Sequence, residues 1–524
     1  MVSEPALEHA YDLFIIGGGV NGAGIARDAA GRGLSVVLAE KGDLAQATSS
    51  ASSKLFHGGL RYLEYFELRL VRKALAERDT LLQAMPHISW PMRFVLPYHS
   101  GMRFESTTPA SRLLTMMMPW MKGRRPAWII RFGLFLYDHL AGRSILPGTK
   151  TLNLRQDPAG AALKPEFEHA YEYSDGWVQD SRLVVLNARD AKERGARILT
   201  RTTVTEARRV ANHWEVTVRA NGRTRTYRAR LLVNAGGPWV ENIVRDVAHL
   251  TPKAHIRLVR GSHIVTRQLF DHDRAYFFQG TDGRIIFALP YEEGFTLIGT
   301  TDQDHHGDPS AVSCTDAEVD YLCEFASRYF ARPVTSRDVV WRFAGVRPLY
   351  DDGAQNASST TRDYVLTTNT DGAPMLNIFG GKITTYRRLA EDAMDRIIPL
   401  IGGKSEKWTA RAPLPGGDFA IGDAPRLVEE LAARFPFLGA PTCRRLVRNY
   451  GTEARLVCGE AASEADLGHH FGAGLYECEV RWLMEKEFAQ TAEDIVWRRT
   501  RTGLRLTPEE IASLDDWIKS EASV

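Results

Sequence analysis

Three glycines at fixed spacing, Gly17-x-Gly19-x-x-Gly22, follow directly on the apolar run Leu13-Phe14-Ile15-Ile16, and an acid, Glu40, comes about 20 residues later. That spacing suits a pyrophosphate lying on a helix N-terminus. Gly17 makes the tight turn, Gly19 lets the backbone approach the anion, and Gly22 lets strand and helix pack closely. Glu40 ends a second apolar run, where a carboxylate can accept both ribose hydroxyls and would repel a 2'-phosphate. The pattern indicates a dinucleotide but leaves FAD and NAD unseparated. Two further stretches bear on the choice. Thr48-Ser49-Ser50-Ala51-Ser52-Ser53-Lys54-Leu55-Phe56-His57-Gly58-Gly59-Leu60-Arg61-Tyr62 is rich in small hydroxyl residues and lets a backbone lie against a flat ligand. A second glycine turn, Gly380-Gly381-Lys382, aims another helix N-terminus at the same kind of ligand. There the helix and Lys382 would stabilise negative charge on a reduced flavin ring, which NAD does not need.

The elements that must position these residues follow from the patterning. Four apolar residues in a row suit a strand buried on both faces. Residues 64–85 carry apolar positions at helical spacing, an amphipathic helix with one solvated face. A helix from Arg182 to Arg194 leads to the short strand Arg197 to Leu199, then to meander strands Thr202 to Ala207, Trp214 to Arg219 and Thr224 to Arg230. The buried strand Arg230 to Asn234 runs into Ala235-Gly236-Gly237-Pro238-Trp239, a turn that can close over a cofactor or be a plain strand-to-helix turn. Residues 256 to 301 are strand-rich and predict an antiparallel sheet, a substrate floor that carries His263. Met375 to Phe379 and Thr384 to Arg396 repeat the opening strand and helix. The expected division is a discontinuous dinucleotide domain over 1–90, 180–255 and 340–400, a substrate domain over 91–179 and 256–339, a linker over 401–417 and a C-terminal helical domain over 418–524.

Composition bounds the class. The 524 residues exceed what one core usually holds. Apolar and charged fractions of 44% and 25% are those of a folded globular protein, and a net charge of +2 argues against a nucleic-acid-binding field. The five cysteines are scattered and never paired as Cys-x-x-Cys, so neither a metal site nor a disulfide framework is expected, and a reducing compartment is. The first ten residues lack the apolar core of a secretory signal, and no run reaches the length of a membrane span. Residues 113–128 mix methionine and tryptophan with Lys122, Arg124 and Arg125. They suit an interfacial segment or, equally, a substrate-domain helix packed by methionine.

Over nearly its whole length the chain resembles the FAD-dependent, respiratory glycerol-3-phosphate dehydrogenases. The resemblance is carried by Gly17 to Gly24, Ala47 to Glu64, Pro91 to Phe94, Tyr171 to Asp180, Gly261 to Val265, Gly299 to Asp302, Gly345 to Leu349, Gly380 to Arg387 and Thr491 to Gly503. It implies an α/β fold: a Rossmann-like FAD domain of the glutathione-reductase type, an antiparallel substrate domain of the D-amino-acid-oxidase type, and a helical C-terminal domain. It implies oxidation of sn-glycerol 3-phosphate to dihydroxyacetone phosphate, with electrons passing through FAD to a membrane quinone. It further implies a homodimer attached peripherally to the inner face of the cell membrane. Two departures stand out. Residues 99 to 125 are longer than in the enterobacterial type, and Gly176 stands where a cysteine is expected.

Family substrate positions fall on Arg61, Tyr62, His263, Arg347, Arg362 and Lys382. Arginine's planar fork holds a phosphate dianion bidentately, which makes Arg347 and Arg61 the first choices and Arg362 a support. A surface ion pair, such as Arg347 with Asp351, is the alternative. His263 is expected as the base, since histidine titrates near neutrality, and Lys382 as the group that polarises the alkoxide or stabilises the reduced ring. Arg61 completes the catalytic set. The FAD-binding residues expected are Gly17, Gly19, Asn21, Gly22, Glu40, Thr48, Ser49, Ser53, Lys54, His57, Gly58, Gly59, Val204, Ala235, Gly236, Trp239, Gly345, Gly381, Lys382, Ile383 and Thr384. Two other classes fit the same residues, a flavin oxidase that reduces oxygen and a flavoprotein that uses FAD as a structural plug.

Overall fold

The computed structural model describes residues 10–99, 127–140, 145–280, 284–351 and 363–522, with Met116 and Gly142 besides. The strand Tyr11–Ile16 is central to a sheet whose order is Val365–Asn369, Met375–Phe379, Arg223–Asn234, Tyr11–Ile16, Val36–Ala39 and Arg197–Leu199. All neighbours run parallel except the first pair. The apolar run of the first strand is explained by what covers each face. Leu13 and Ile15 pack with Ile25, Ala26 and Ala29 of the helix Val20–Gly31 and with Leu389, Ala393 and Ile397 of the helix Tyr386–Ile401. Phe14 and Ile16 point the other way, into Trp214, Val216 and Tyr227 of the meander. Successive side chains alternate between faces, and both faces are dry.

Three meander strands were expected before a separate buried strand. The structure has strands Thr203–Val210 and His213–Ala220, and then a single strand, Arg223–Asn234. Residues 223–229 of that strand pair antiparallel with His213–Ala220, and residues 229–234 pair parallel with the first strand.

The second sheet is almost wholly antiparallel. Its order is Gln303–Asp304, Ile256–Arg267, Phe295–Gly299, Ile285–Tyr291, Ala275–Gln279, Ser89–Tyr98, His169–Val178 and Leu55–Phe56. Only Ala275–Gln279 and Ser89–Tyr98 pair parallel. Val339–Tyr350 pairs along nearly all of Ile256–Arg267, with His263 opposite Phe343 and Gly261 opposite Gly345. Two segments therefore sit elsewhere than the expected division puts them. Val339–Tyr350 and Leu55–Phe56 lie in the substrate sheet although both fall in stretches assigned to the dinucleotide domain, and the strand Ser89–Tyr98 starts before the boundary at 90. The reason is that a strand's own sequence does not choose between sheets; the partner it meets in the folded chain does.

The C-terminal helices Ala424–Arg434, Ala440–Tyr450, Glu477–Glu487 and Pro508–Ala522 enclose a core of their own, built on Phe435, Leu446, Val480, Leu483, Ile495 and Leu514. Buried ion pairs tie this unit to the rest: Arg182 to Glu487, and Arg498 and Arg499 to Asp43. The segment from 100 to 126, including the methionine-rich run, lies outside the described residues apart from Met116.

A Cβ added at Gly22 would lie 1.9 Å from the Gly17 carbonyl oxygen, which is backbone and cannot turn aside. Gly22→Ala is therefore expected to cost about 2 kcal/mol of folding stability, measured by urea denaturation, and to lower the visible absorbance of the purified protein.

Candidate active site

The two glycine turns meet at Asn21. Its Nδ2 donates to the Gly380 carbonyl at 3.3 Å, while its Oδ1 is buried and accepts from no donor among the described residues. The helix Val20–Gly31 starts at Gly19 with no side-chain cap from that residue, and the Val20 N–H donates to Ser49 Oγ at 3.0 Å. A Cβ at Gly19 would meet only Ser49 Oγ, at 3.2 Å, so the room this glycine leaves is on the open side of the turn. Gly17 has φ +110 and packs against the Ala235 carbonyl, which puts the Ala235-Gly236 turn beside the first turn. Glu40 closes the far end, accepting from the Gly18 N–H at 2.7 Å and the Gly42 N–H at 2.9 Å. Burial holds its carboxyl above the usual range against those two hydrogen bonds. Lys41 lies 3.4 Å over the Trp239 ring on the same edge. Val204 packs in the core behind it, with Phe14 and Val37. A glycine cradle on an open helix N-terminus, an orphaned buried acceptor and a carboxylate directly after the second strand together fit an adenine dinucleotide.

From Asn21 the path leads into a cleft of about 2030 Å³, counted out to its open mouth, between the two sheets. Thr48, Ser49, Ser53, His57, Gly59, Arg61, Tyr62, Gly345, Arg347, Gly381, Lys382, Ile383 and Thr384 line it. The serine loop is docked on the substrate sheet. Thr48 Oγ1 donates to the Val346 carbonyl at 2.6 Å, and a Cβ at Gly345 would strike the Ala51 Cβ at 2.6 Å. The His57 N–H donates to Thr384 Oγ1 at 3.3 Å, linking the loop to the second turn.

Three cations face the cleft from residues singled out in the sequence. Arg61 has no ion-pair or hydrogen-bond partner among the described residues. Lys382 Nζ stands 3.8 Å over the Tyr62 ring. Arg347 is held by the Thr300–Asp302 loop: Nη2 donates to Thr300 Oγ1 at 2.8 Å, and Nη1 to the Thr301 carbonyl and the Asp302 carboxylate. Asp302, which sequence proximity did not suggest, is thus a carboxylate partner of Arg347.

His263 is 1% exposed and does not itself line the cleft. Its Nε2 is 2.9 Å from Ser53 Oγ, its ring stacks on Phe343 at 4.9 Å, and its Nδ1 has no partner among the described residues. Burial first, then the charges of Arg347 and Lys54, push its pKa well below the usual histidine value, so the ring is neutral at pH 7. Lys54, named among the expected cofactor residues, turns its side chain away from the cleft: it is buried behind the loop on Asp180, because a desolvated ammonium needs a carboxylate. Gly58 packs beneath the cleft against Leu75 and Tyr137 and does not line it. Arg362 lies outside the described residues.

Sequence reasoning missed Arg284, Tyr173 and Asp175, all of which line the cleft. Asp175 accepts from Arg78 Nη1 at 3.0 Å and from the Tyr137 hydroxyl at 2.8 Å, and Tyr137 accepts in turn from the Gly58 N–H at 2.8 Å. Position alternation along His169–Val178 could have placed Asp175 on an inner face, but nothing local pairs it with Tyr137.

Comparison with known proteins supplies the rest. The family described as FAD dependent oxidoreductase matches residues 12–387, and that described as the C-terminal domain of alpha-glycerophosphate oxidase matches residues 407–518. The glycerol-3-phosphate dehydrogenase of Pseudomonas aeruginosa is 46% identical over 98% of this chain and 96% of its own. The aerobic glycerol-3-phosphate dehydrogenase of Escherichia coli is 44% identical over 97% of each. This chain belongs to the FAD-dependent glycerol-3-phosphate dehydrogenase family. Within that family's range, the D-erythritol 1-phosphate dehydrogenase of Brucella abortus is 50% identical over 97% of each chain. Among solved structures, the glycerol-3-phosphate dehydrogenase of Bacillus halodurans complexed with FAD superposes with a TM-score of 0.70 at 25% identity, covering 98% of this chain and 95% of that one. The cofactor is FAD, and the reaction is the FAD-dependent oxidation of a phosphorylated polyol.

Burial raises the Asp175 pKa from 3.8 to about 6 in spite of Arg78 and Tyr137. Between those values the unfolded chain releases the proton while the folded chain keeps it, so stability falls as pH rises through the window. Asp175→Asn has no such proton to lose. Its stability deficit against the parent is therefore expected to shrink as pH rises from about 4 to about 6, measured by urea denaturation at several pH values.

Proposed function

We propose that the protein oxidises sn-glycerol 3-phosphate to dihydroxyacetone phosphate and that the electrons pass to a membrane quinone. The observation that carries this reading is the convergence of Arg61, Arg347 and Lys382 on one cleft, beside the serine loop and the second glycine turn. FAD, held by the two glycine turns and the serine loop, would supply the hydride acceptor for the alcohol carbon. Arg347, its fork already oriented by Thr300 and Asp302, and Arg61 hold the phosphate. His263 takes the hydroxyl proton by way of Ser53, the residue between it and the cleft. A neutral imidazole is the form that can accept a proton. A phosphate dianion on Arg347 offsets one of the charges that depress its basicity. Lys382 stabilises the forming alkoxide or the reduced ring.

A second reading is favoured by the 50% identity to the D-erythritol 1-phosphate enzyme. The same cations would hold that phosphate, and a longer polyol would ask for additional hydroxyl partners. Anaerobic addition of each polyol phosphate, while following flavin absorbance, separates the two. Faster bleaching with glycerol 3-phosphate is expected, and faster bleaching with D-erythritol 1-phosphate would transfer the assignment.

A quinone acceptor requires the cleft to lie near a bilayer, and the surface supports this. The helix Ala127–His139 buries Leu134 and Tyr137 but exposes Trp128, Phe132 and Phe135. It packs beside the turn Leu60–Tyr65, after which Phe66 and Leu68 are exposed next to Arg69 and Arg72. Rings at the headgroup level with cations nearby are the signature of interfacial attachment. Among the described residues no helix is long and apolar enough to cross a membrane. We therefore propose peripheral attachment to the inner face of the cell membrane, and a homodimer on the family resemblance.

His263→Ala is expected to lower turnover by about 10²-fold or more, with flavin content unchanged; undiminished turnover would remove it as the base. Arg347→Ala is expected to raise KM by one to two orders of magnitude, the effect of about 2 kcal/mol for a charged hydrogen bond. A KM equal to that of the parent would remove the phosphate role.

A further inference from the structure

The serine loop that enters the cleft is held from behind by one carboxylate. Asp180, fully buried, accepts from the Ser52 N–H at 3.2 Å, from the Ser52 hydroxyl at 2.8 Å and from Lys54 Nζ at 2.9 Å. Lys54 Nζ also donates to the Ser50 carbonyl at 3.0 Å. The remaining charged donor comes from the C-terminal unit. Arg501 Nη2 donates to Asp180 Oδ1 at 3.1 Å and to Ser181 Oγ at 3.2 Å, and Arg501 Nη1 lies 3.7 Å from Glu292.

Both cations stand on left-handed backbone, Lys54 at φ +60 and Arg501 at φ +58. A non-glycine residue is strained there, and it persists only where its surroundings over-determine it. Such residues gather where a fold needs a group held in one place. What lies between the clamped residues is Ser53, whose Oγ is 2.9 Å from His263 Nε2. Lys54 Nζ also stands 5.1 Å over the ring of Phe343, the ring on which His263 stacks. The cluster therefore bears on His263 from two sides without touching it.

We propose that Lys54, Asp180 and Arg501 form a positioning unit for the reaction, through which the C-terminal domain fixes Ser53 and, by way of Ser53, the ring of His263. The inference rests on the reading of His263 as the base. Charged hydrogen bonds in a dry interior define geometry sharply, because each displacement leaves a charge unpaired. With Arg501 gone, Asp180 keeps one cation, and the backbone at 50–54 gains freedom that Ser53 transmits to the imidazole. A cluster that only stabilised the fold would have no reason to act through Ser53.

The test uses the holoenzyme and the polyol phosphate that bleaches the parent flavin. Arg501→Gln is expected to retain its FAD and keep KM within about threefold while the rate of flavin reduction falls about tenfold. Amide hydrogen exchange at residues 50–55 is expected to rise in the holoenzyme and in the apoprotein alike. In a Ser53→Ala background the same substitution should add less than about twofold, since both changes cut one path. An unchanged reduction rate, unchanged exchange at 50–55, or effects that multiply in the double variant each overturn the proposal. If Arg501→Gln does not fold, Arg501→Lys, which keeps the charge and loses the fork, carries the same cycle. Undiminished turnover in His263→Ala removes the base and the last step of the proposal, while coupling between Arg501 and Ser53 is read independently of it.

Discussion

A carboxylate taken out of water must find cations, and two such carboxylates decide how this chain closes on itself. Asp43 and Asp180 belong to the cofactor-binding half, and both are fully buried. Their cations come largely from three residues of the C-terminal unit: Arg498 and Arg499 for Asp43, and Arg501, joined by Lys54 of the serine loop, for Asp180. Removing one partner of such a pair costs about 3–5 kcal/mol, because the other is left charged and dry. The C-terminal unit is thus an obligatory neighbour of the cofactor domain, whatever the stability of its own apolar core. Arg182 with Glu487, also fully buried, extends the same seam.

The seam explains how a site made of distant segments stays in register. Residues that line the cleft come from Val20, from within 48–70, from Tyr173 and Asp175, from Phe277, Arg284, Ile285, Phe287, Thr300 and Asp302, and from within 345–349 and 381–384. No single element holds more than a fraction of it. The first turn is fixed by backbone crowding between Gly17, Gly22 and Ala235, the serine loop by Asp180 behind and Gly345 in front, and the second turn by Asn21. Apart from the Gly17–Gly22 contact, each of these joins two segments far apart in sequence. A second buried network, in which Arg387 donates to Glu77 and Glu391, holds the helix after the second turn against the helix Leu68–Ala84.

Electrostatics in the site follows from this dryness. His263, behind the cleft, is held neutral and Asp175, in its lining, is pushed toward protonation, while Arg61, Arg284, Arg347 and Lys382 supply its cations. An anionic substrate is therefore attracted by fixed charges that exist before it arrives, with little reorganisation left for the moment of reaction.

The sequence by itself determined the local chemistry. Glycine spacing, an apolar run too short for a helix and an acid at the right remove are covalent facts, and they specified the dinucleotide turn, the acid expected at its ribose and the antiparallel strands within 256–301. The family resemblance then located Arg61, His263, Arg347 and Lys382, and all four lie in or directly behind one cleft. Tertiary structure alone decided which cations stay available. Lys54 and Arg347 both look free in sequence, yet Lys54 is consumed by Asp180 and Arg347 is oriented by Asp302. It also decided that His263 stands behind Ser53, that Asp175 meets Tyr137, and that Val339–Tyr350 belongs to the substrate sheet. Partners 38 to 321 residues apart leave no periodicity for a local reading to detect. Only desolvation, which acts on the folded chain as a whole, selects which charge faces which.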